Sequence, residues 1–368
     1  MEQRRRNLVL VLILIAAVCL FVGLTLSRRE THAERVDFLM DTFVEQRITG
    51  PNAEKTGEKA YQALRDFDEA LSLYNAESQI SRINAAAGRE PVVVEQMVYD
   101  LLKRARDLSE QSYGAFDFTI APVTTLWHEA KAEGRPPEND AVAQRLALVD
   151  YRRVRFDDAA RSVMLEEAGM AIDLGGIAKG YACDIVRQIY RESGVSTALV
   201  SIGGNVYTYR APKGEQTYHV GIRNPLGDSA DPMMRLNITE EVIATSGAYE
   251  RFFEYEGVSY HHILSTQTGQ PAETDLLAAV AISPDGALAD FLSTTFFVLG
   301  RDAVLEAIAQ EETLLAQGEQ PQFRVIAVDR DHKIYVSPSL RGQVELLEPE
   351  QFQIVELSGD EIKKITTD

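Results

Sequence analysis

The stretch DLGGIAKGYACD, from Asp173 to Asp184, lies where an apolar run gives way to a helical one, and its reading decides the rest of the chain. Upstream, Met170–Leu174 reads as a short buried strand. Downstream, Ile177–Tyr190 repeats apolar residues at helical spacing. Gly175, Gly176 and Gly180 let backbone come close to a ligand, and helix amides beside Lys179 favour an anion. The spacing matches neither a P-loop nor a dinucleotide fingerprint. On these residues alone, a phosphate-holding pocket and a tight turn that needs small residues are equally good readings.

Working outward, Val36–Gly50 (VDFLMDTFVEQRITG) alternates around Met40 and predicts a first strand, and Ala60, Leu64, Phe67 and Leu71 share one helical face. A strand or turn at Pro91 leads into a second amphipathic helix ending near Gly114, and a helical, proline-marked stretch runs from Pro122 to Ala147. From Tyr151 onward short strands alternate with turns, interrupted by helices at Ile177–Ser193 and Leu288–Val298 and closed by a hairpin in FRVIAVDRDHKIYVS. The expected class is α+β, mostly antiparallel strands with packed helices and no βαβ repeat.

The formal net charge of −19 argues against a nucleic-acid partner, so a bound polyphosphate needs a local cation. The acidic excess is densest near the C-terminus, in VELLEPEQFQIVELSGDEIKK, which reads as solvated surface. With two cysteines, Cys19 and Cys183, there is no disulfide framework and no zinc cluster. At the N-terminus, Arg4–Arg6 precede the uncharged apolar run Leu8–Leu26, and Arg28–Arg29 follow. At helical rise that run spans about 28 Å, enough to cross a membrane. Its basic tail stays in the cytoplasm and the rest of the chain lies outside, on the extracytoplasmic side of an inner membrane. An uncleaved anchor is favoured over a cleaved signal.

Four further constellations carry chemistry. SIGGN (Ser201–Asn205) reads as a bulge or tight turn. GAFDFTIAP places Asp117 in a loop, as a binding carboxylate or an Asx-turn. YHHILSTQTGQPA puts His262 at a strand end, where a lone histidine is more often structural. In ALADFLSTTFFVLG, Asp290 and Thr294 project from one helical face, and a buried carboxylate there suits a hard cation with oxygen ligands. The competing reading makes Asp290 a helix cap. Together these residues suit magnesium-assisted chemistry at a pyrophosphate.

In order, GAFDFTIAP, AIDLGGIAKGYACD, VSIGGNVY, VGIRNP, ATSGAYERFF, YHHILSTQTGQP and ADFLSTTFFVLG resemble the ApbE family of FAD:protein FMN transferases, from about Phe38 to about Ser337. The resemblance implies a T-fold-related α+β domain over residues 30–340, preceded by a membrane anchor or signal (1–29) and followed by an acidic extension (341–368). It implies Mg²⁺-dependent transfer of FMN from FAD to a threonine or serine hydroxyl of an acceptor flavoprotein in a membrane or extracytoplasmic redox complex, with release of AMP. Metal ligands fall on Asp290, Thr294 and the Gly176 carbonyl. FAD contacts fall on Met40, Tyr74, Ala115, Phe116, Asp117, Asp173, Lys179 and Leu264. His262 matches the histidine that activates the acceptor hydroxyl, and Asp290 counts with it as catalytic. Two positions depart from the family pattern: Ser265–Thr266 replace an Asp-Pro pair after the histidine, and Ala248 replaces an aspartate in SGAY. Because both departures remove acidic groups, an FAD pyrophosphatase giving FMN and AMP is the alternative, and a non-catalytic FAD-binding protein a third reading.

Overall fold

The computed structural model describes residues 6–7, 30–227, 231–355 and 357. The apolar run Leu8–Leu26 expected to span a membrane lies outside these residues, as does the end of the acidic extension. Among the described residues no helix is long and apolar enough to cross a membrane.

Nine strands form the main sheet, and their spatial order follows the chain: Thr31–Leu39, Thr42–Gly50, Thr197–Ile202, Asn205–Tyr209, Val242–Gly247, Leu276–Ser283, Arg324–Asp329, Lys333–Val336 and Gln353–Ile354. Neighbours are antiparallel except the last pair. The middle of this sheet is covered twice. Helices cover one face, and a three-stranded sheet (Tyr218–Arg223, Pro232–Ile238, Val344–Leu346) covers the other. Burial on both faces explains why Leu276–Ser283 (LLAAVAIS) is an unbroken apolar run rather than an alternating one. The first two strands alternate instead, with Val44, Gln46 and Ile48 facing the helices and Phe43, Glu45 and Arg47 exposed. Of the acidic extension expected from 341, the described part adds two strands, Val344–Leu346 and Gln353–Ile354.

Several sequence expectations are corrected. The single strand around Met40 is a hairpin: Leu39 pairs with Thr42, and Met40 (φ 53°) and Asp41 (φ 56°) form its two-residue turn. Positive φ at both central positions is the geometry that matches strand twist, and Met-Asp carries no glycine to announce it. The stretch from Pro122 is two helices, Ala121–Glu133 and Asn139–Leu146, because Gly134 (φ 72°) ends the first and two prolines follow. Met170–Leu174 is not a strand; only a bridge between Ala171 and Ile120 forms there. The helix Arg301–Ala316 has no counterpart in the sequence reading.

Two helices position the site. Ala178–Ser193 buries Gly180, Ala182, Cys183, Val186, Ile189 and Tyr190 and stops at left-handed Gly194 (φ 68°). Gly286–Leu299 is apolar on nearly every side and therefore runs through the interior. Its cap is Asp285, whose side chain accepts from Leu288 N at 3.0 Å, so Asp290 is not the cap. The helices touch backbone to backbone: a Cβ on Gly180 would stand 2.0 Å from Gly286 O and 2.7 Å from Asp290 Cβ. Asp184, the last residue of the glycine-rich stretch, accepts from the amides of Gly286 (2.9 Å) and Ala287 (3.2 Å) and pins the crossing. Gly180→Ala should therefore destabilise the fold by about 3 kcal/mol through overpacking, seen as a fall of several degrees in Tm; a Tm within about one degree of wild type would show that the crossing can relax.

Candidate functional site

The glycine-rich stretch curls around its own first residue. Asp173 Oδ1 accepts from Gly175 N at 2.8 Å, an Asx-type turn, while Oδ2 accepts from Thr124 Oγ1 at 2.8 Å. The backbone before it is tied to the preceding loop, since Asp173 N donates to Phe118 O at 2.8 Å. Gly176 then lies flat against its neighbours. A Cβ there would come within 2.9 Å of the Phe116 ring and 3.6 Å of Thr294 Oγ1. Glycine is needed here because of close approach, not a left-handed backbone. Lys179 Nζ donates to Gly175 O at 3.3 Å and stands 3.7 Å from Asp290 Oδ1.

Asp290 is buried at 2% exposure. Its Oδ2 accepts from the Gly180 amide at 2.9 Å, so one carboxylate oxygen is fixed by the opposite helix and the other faces Lys179. Thr294 Oγ1 and Ser293 Oγ both bond back to Asp290 O, at 3.2 and 2.9 Å. Ser246, from ATSGAY, adds an oxygen: its Oγ lies 2.9 Å from Ser293 Oγ and 3.3 Å from Thr294 Oγ1. Asp290, Thr294 and Gly176 are thus brought together as the sequence reading expects. Among the described residues no group of three His, Cys, Asp or Glu could hold a metal. One carboxylate with neutral hydroxyl and carbonyl oxygens remains, a donor set that suits a hard, mostly hydrated Mg²⁺.

His262 follows the hairpin Phe252–Tyr255 and Val258–His261. Its backbone N donates to Arg251 O at 3.0 Å, and its ring Nδ1 lies 3.2 Å from the same oxygen. A carbonyl can only accept, so Nδ1 carries the proton and Nε2 keeps its lone pair. Although part of the side chain is open to solvent, the surrounding walls disfavour its charge. Desolvation first, then the Lys179 cation, lowers the imidazole to about 4. The adjacent His261 turns the other way, its Nε2 3.2 Å from Ala272 O and its ring edge-on to Phe297.

The remaining expected contacts divide into two groups. Met40 and Tyr74 line the rim. Met40 N donates to Asp68 Oδ2 at 3.0 Å, and the Asp41 beside it is clasped by Arg251, Nη1 to Oδ2 at 3.2 Å and Nη2 to O at 2.7 Å. Tyr74 is exposed at 76%, an apolar surface open to a planar ligand. Its hydroxyl is raised by desolvation and then by the charges of Asp173 and Asp41, and its ring lies 5.7 Å from that of His128. Phe116, edge-on to Phe291 at 5.3 Å, backs Gly176.

The second group faces inward. Ala115 and Leu264 are buried at 8% exposure each, Leu264 against Val123 and Trp127. Asp117 spends both oxygens on the protein: Oδ1 accepts from Thr119 N (2.8 Å) and Oγ1 (2.6 Å), Oδ2 from Tyr151 N (2.9 Å). Burial raises this carboxyl, against those bonds. The Asx-turn reading therefore describes its side chain.

Two charged residues at the site escape sequence reasoning. Arg251 supplies the carbonyl that orients His262. Glu250, whose Oε1 would lie 3.6 Å from a Cβ on Gly204, sits in the combined field of Lys179, Arg223 and Arg251, with its carboxyl raised by desolvation. Its only sequence signal is its place in ATSGAYERFF, two residues after Ala248.

The ApbE family model matches residues 40–316, which include this whole arrangement. A FAD:protein FMN transferase of Klebsiella pneumoniae is 36% identical over 261 residues, 71% of this chain and 81% of that protein. One from Treponema pallidum is 33% identical over 304 residues, 79% of this chain and 82% of that protein. Among solved structures, the ApbE protein of Thermotoga maritima superposes with a TM-score of 0.76 at 30% identity, covering 85% of this chain and 99% of the other. The apo form of the Pseudomonas stutzeri flavinyl transferase ApbE superposes with a TM-score of 0.66 at 26% identity, covering 82% and 92%. By sequence and by fold, the chain belongs to the ApbE family.

Proposed function

We propose that the chain is an FAD:protein FMN transferase, anchored by Leu8–Leu26 in the inner membrane with its catalytic domain outside the cytoplasm, acting with Mg²⁺ on acceptor flavoproteins of membrane or extracytoplasmic redox complexes. The observation that carries this reading is the meeting of Gly176, Lys179, Asp290 and Thr294 at one crossing, with His262 oriented beside it. When bound, Mg²⁺ neutralises charge on the phosphoryl oxygens; Asp290, Thr294 and the Gly176 carbonyl would hold it. Lys179 attracts the pyrophosphate, and the Gly176 backbone allows it close approach. Tyr74 and Phe116 offer aromatic walls for the flavin. Nε2 of His262 accepts the proton of the acceptor hydroxyl as its oxygen bonds to the FMN phosphorus; the P–O bond to AMP breaks, and AMP leaves.

Purified full-length protein with FAD, Mg²⁺ and a candidate acceptor should give an FMN-sized mass increment on a threonine or serine. Asp290→Asn keeps an acceptor for the Gly180 amide but loses the charge, and should slow labelling at least about 100-fold. Labelling at the normal rate would refute the metal assignment. FMN and AMP appearing without acceptor would favour a pyrophosphatase, and tight FAD binding with neither product a non-catalytic protein. A C-terminal alkaline phosphatase fusion should be active in intact cells; an inactive fusion of normal abundance would place the domain in the cytoplasm.

The lowered imidazole has a kinetic consequence. The base works when neutral, so activity is lost as pH falls through its pKa. After desolvation, Lys179 adds to the lowering of His262 even though Asp290 Oδ1 stands 3.7 Å from its Nζ; a bound pyrophosphate would offset that second contribution and move the imidazole part of the way back up. The acid limb of kcat/KM should therefore lie near pH 4, below the ordinary histidine range, and that of kcat at higher pH. Measured pH–rate profiles with the two limbs coincident near 6.5 would contradict this.

A further inference from the structure

We propose that Thr266 is a positioning residue that fixes the His262 turn against the loop behind Gly176; the proposal rests on the reading of this site as a flavin-transfer centre. Thr266 Oγ1 donates to Gly114 O at 2.6 Å, across 152 residues of sequence. Gly114 (φ 80°) ends the Gln96–Gln111 helix region, its N donating to Ser109 O at 2.9 Å, and opens the loop that carries Ala115, Phe116 and Asp117. The other bonds of that loop run to Ser112, Thr119, Ile120 and Tyr151. Among the described residues, the Thr266 bond is the one hydrogen bond joining the 114–117 loop to the 262–269 turn.

The turn is stiff enough to transmit such a tie. Ser265 Oγ accepts from Gln267 N at 3.2 Å, and Gly269 N donates to Ser265 O at 2.8 Å. Trp127 Nε1 holds Gly269 O at 2.7 Å, and Arg251 O holds His262 at the other end. Thr266 thus links a rigid turn bearing the base to Phe116, whose ring sets the height of Gly176 beside Thr294. A proline at 266 could restrict the turn by its ring but has no hydroxyl to donate. Here the two replacements share the work: Ser265 closes the turn, and Thr266 ties it to the loop. Proton acceptor and phosphoryl-side oxygens must be closely aligned for efficient transfer, and this bond ties the turn that follows the histidine to the loop that packs on Gly176.

Thr266→Val removes the hydroxyl at constant shape, and Thr266→Ser restores it. In FAD-free full-length protein, amide hydrogen exchange at 115–117 and 263–268 should be faster in the valine variant than in wild type and normal in the serine variant. In flavin transfer, the valine variant should lose about five- to tenfold in kcat, with KM for FAD within about twofold of wild type; the serine variant should recover to within about twofold. Unchanged exchange in the valine variant, a normal kcat, or a serine variant as slow as the valine one would each overturn the proposal. If wild type labels no acceptor, the transferase reading fails while the exchange comparison still decides whether Thr266 ties the two segments.

Discussion

Everything at the site depends on two helices that meet without side chains between them. At Gly180 and Gly286 the backbones come so close that either Cβ would land about one bond length and a half from a carbonyl oxygen, 2.0 and 2.1 Å respectively. Only at that separation can the Gly180 amide reach the carboxylate of Asp290 on the other helix. A hydrogen bond from a neutral amide to a buried carboxylate is worth about 1.5–3 kcal/mol, and it compensates a charge that the apolar Gly286–Leu299 helix would otherwise leave exposed to a low-dielectric interior. Asp184 ties the same crossing from the other side by accepting two of the free amides at that helix's start. The two carboxylates of the glycine-rich stretch therefore differ in purpose: Asp173 shapes the loop, and Asp184 fixes the helix that brings the distant acid.

The crossing adds what the glycine-rich stretch does not carry by itself. A tight turn and an anion pocket have the same composition, because both need backbone free of Cβ. Asp290, more than 100 residues away, sets an acid 3.7 Å from Lys179, with the Thr294 and Ser246 hydroxyls within 3.3 Å of each other beside it. Lys179 contacts Gly175 O and Asp290, and its charge also reaches His262, where it lowers the imidazole after desolvation does.

How much of this was legible in the sequence follows from where each signal resides. The helical periodicity of Ile177–Ser193 and the i, i+4 placement of Asp290 and Thr294 are local, and they identify the correct faces. The α+β class is also local, since short strands separated by turns need no long-range knowledge. The hairpin at Met40–Asp41 is hidden because left-handed geometry is imposed there by strand pairing on residues that do not advertise it. Asp117 in GAFDF carries no sign in the sequence that Thr119 and Tyr151 donate to both of its oxygens. The packing of Leu264 on Val123 and Trp127 is likewise a product of the fold, not of the local sequence. Glu250 and Arg251 carry no pattern of their own; their places at the cleft come from the path of the chain between the end of one strand and the histidine hairpin.

The position of Lys179 gives the cleft an asymmetry between its empty and loaded states. In an empty site burial first, and the Lys179 cation second, hold the His262 imidazole unprotonated but weakly basic. On the proposed reading, basicity and anion binding are linked in part through that charge: a phosphate beside Lys179 would make the lone pair on Nε2 a better proton acceptor. The orientation of that lone pair does not change, because the Arg251 carbonyl fixes the Nδ1 proton whether or not the site is filled. Geometry is therefore set by the fold in advance, and only proton affinity is left to the ligand. If His262 is the base, as proposed, a hydroxyl entering the empty cleft would meet an aligned but poor proton acceptor.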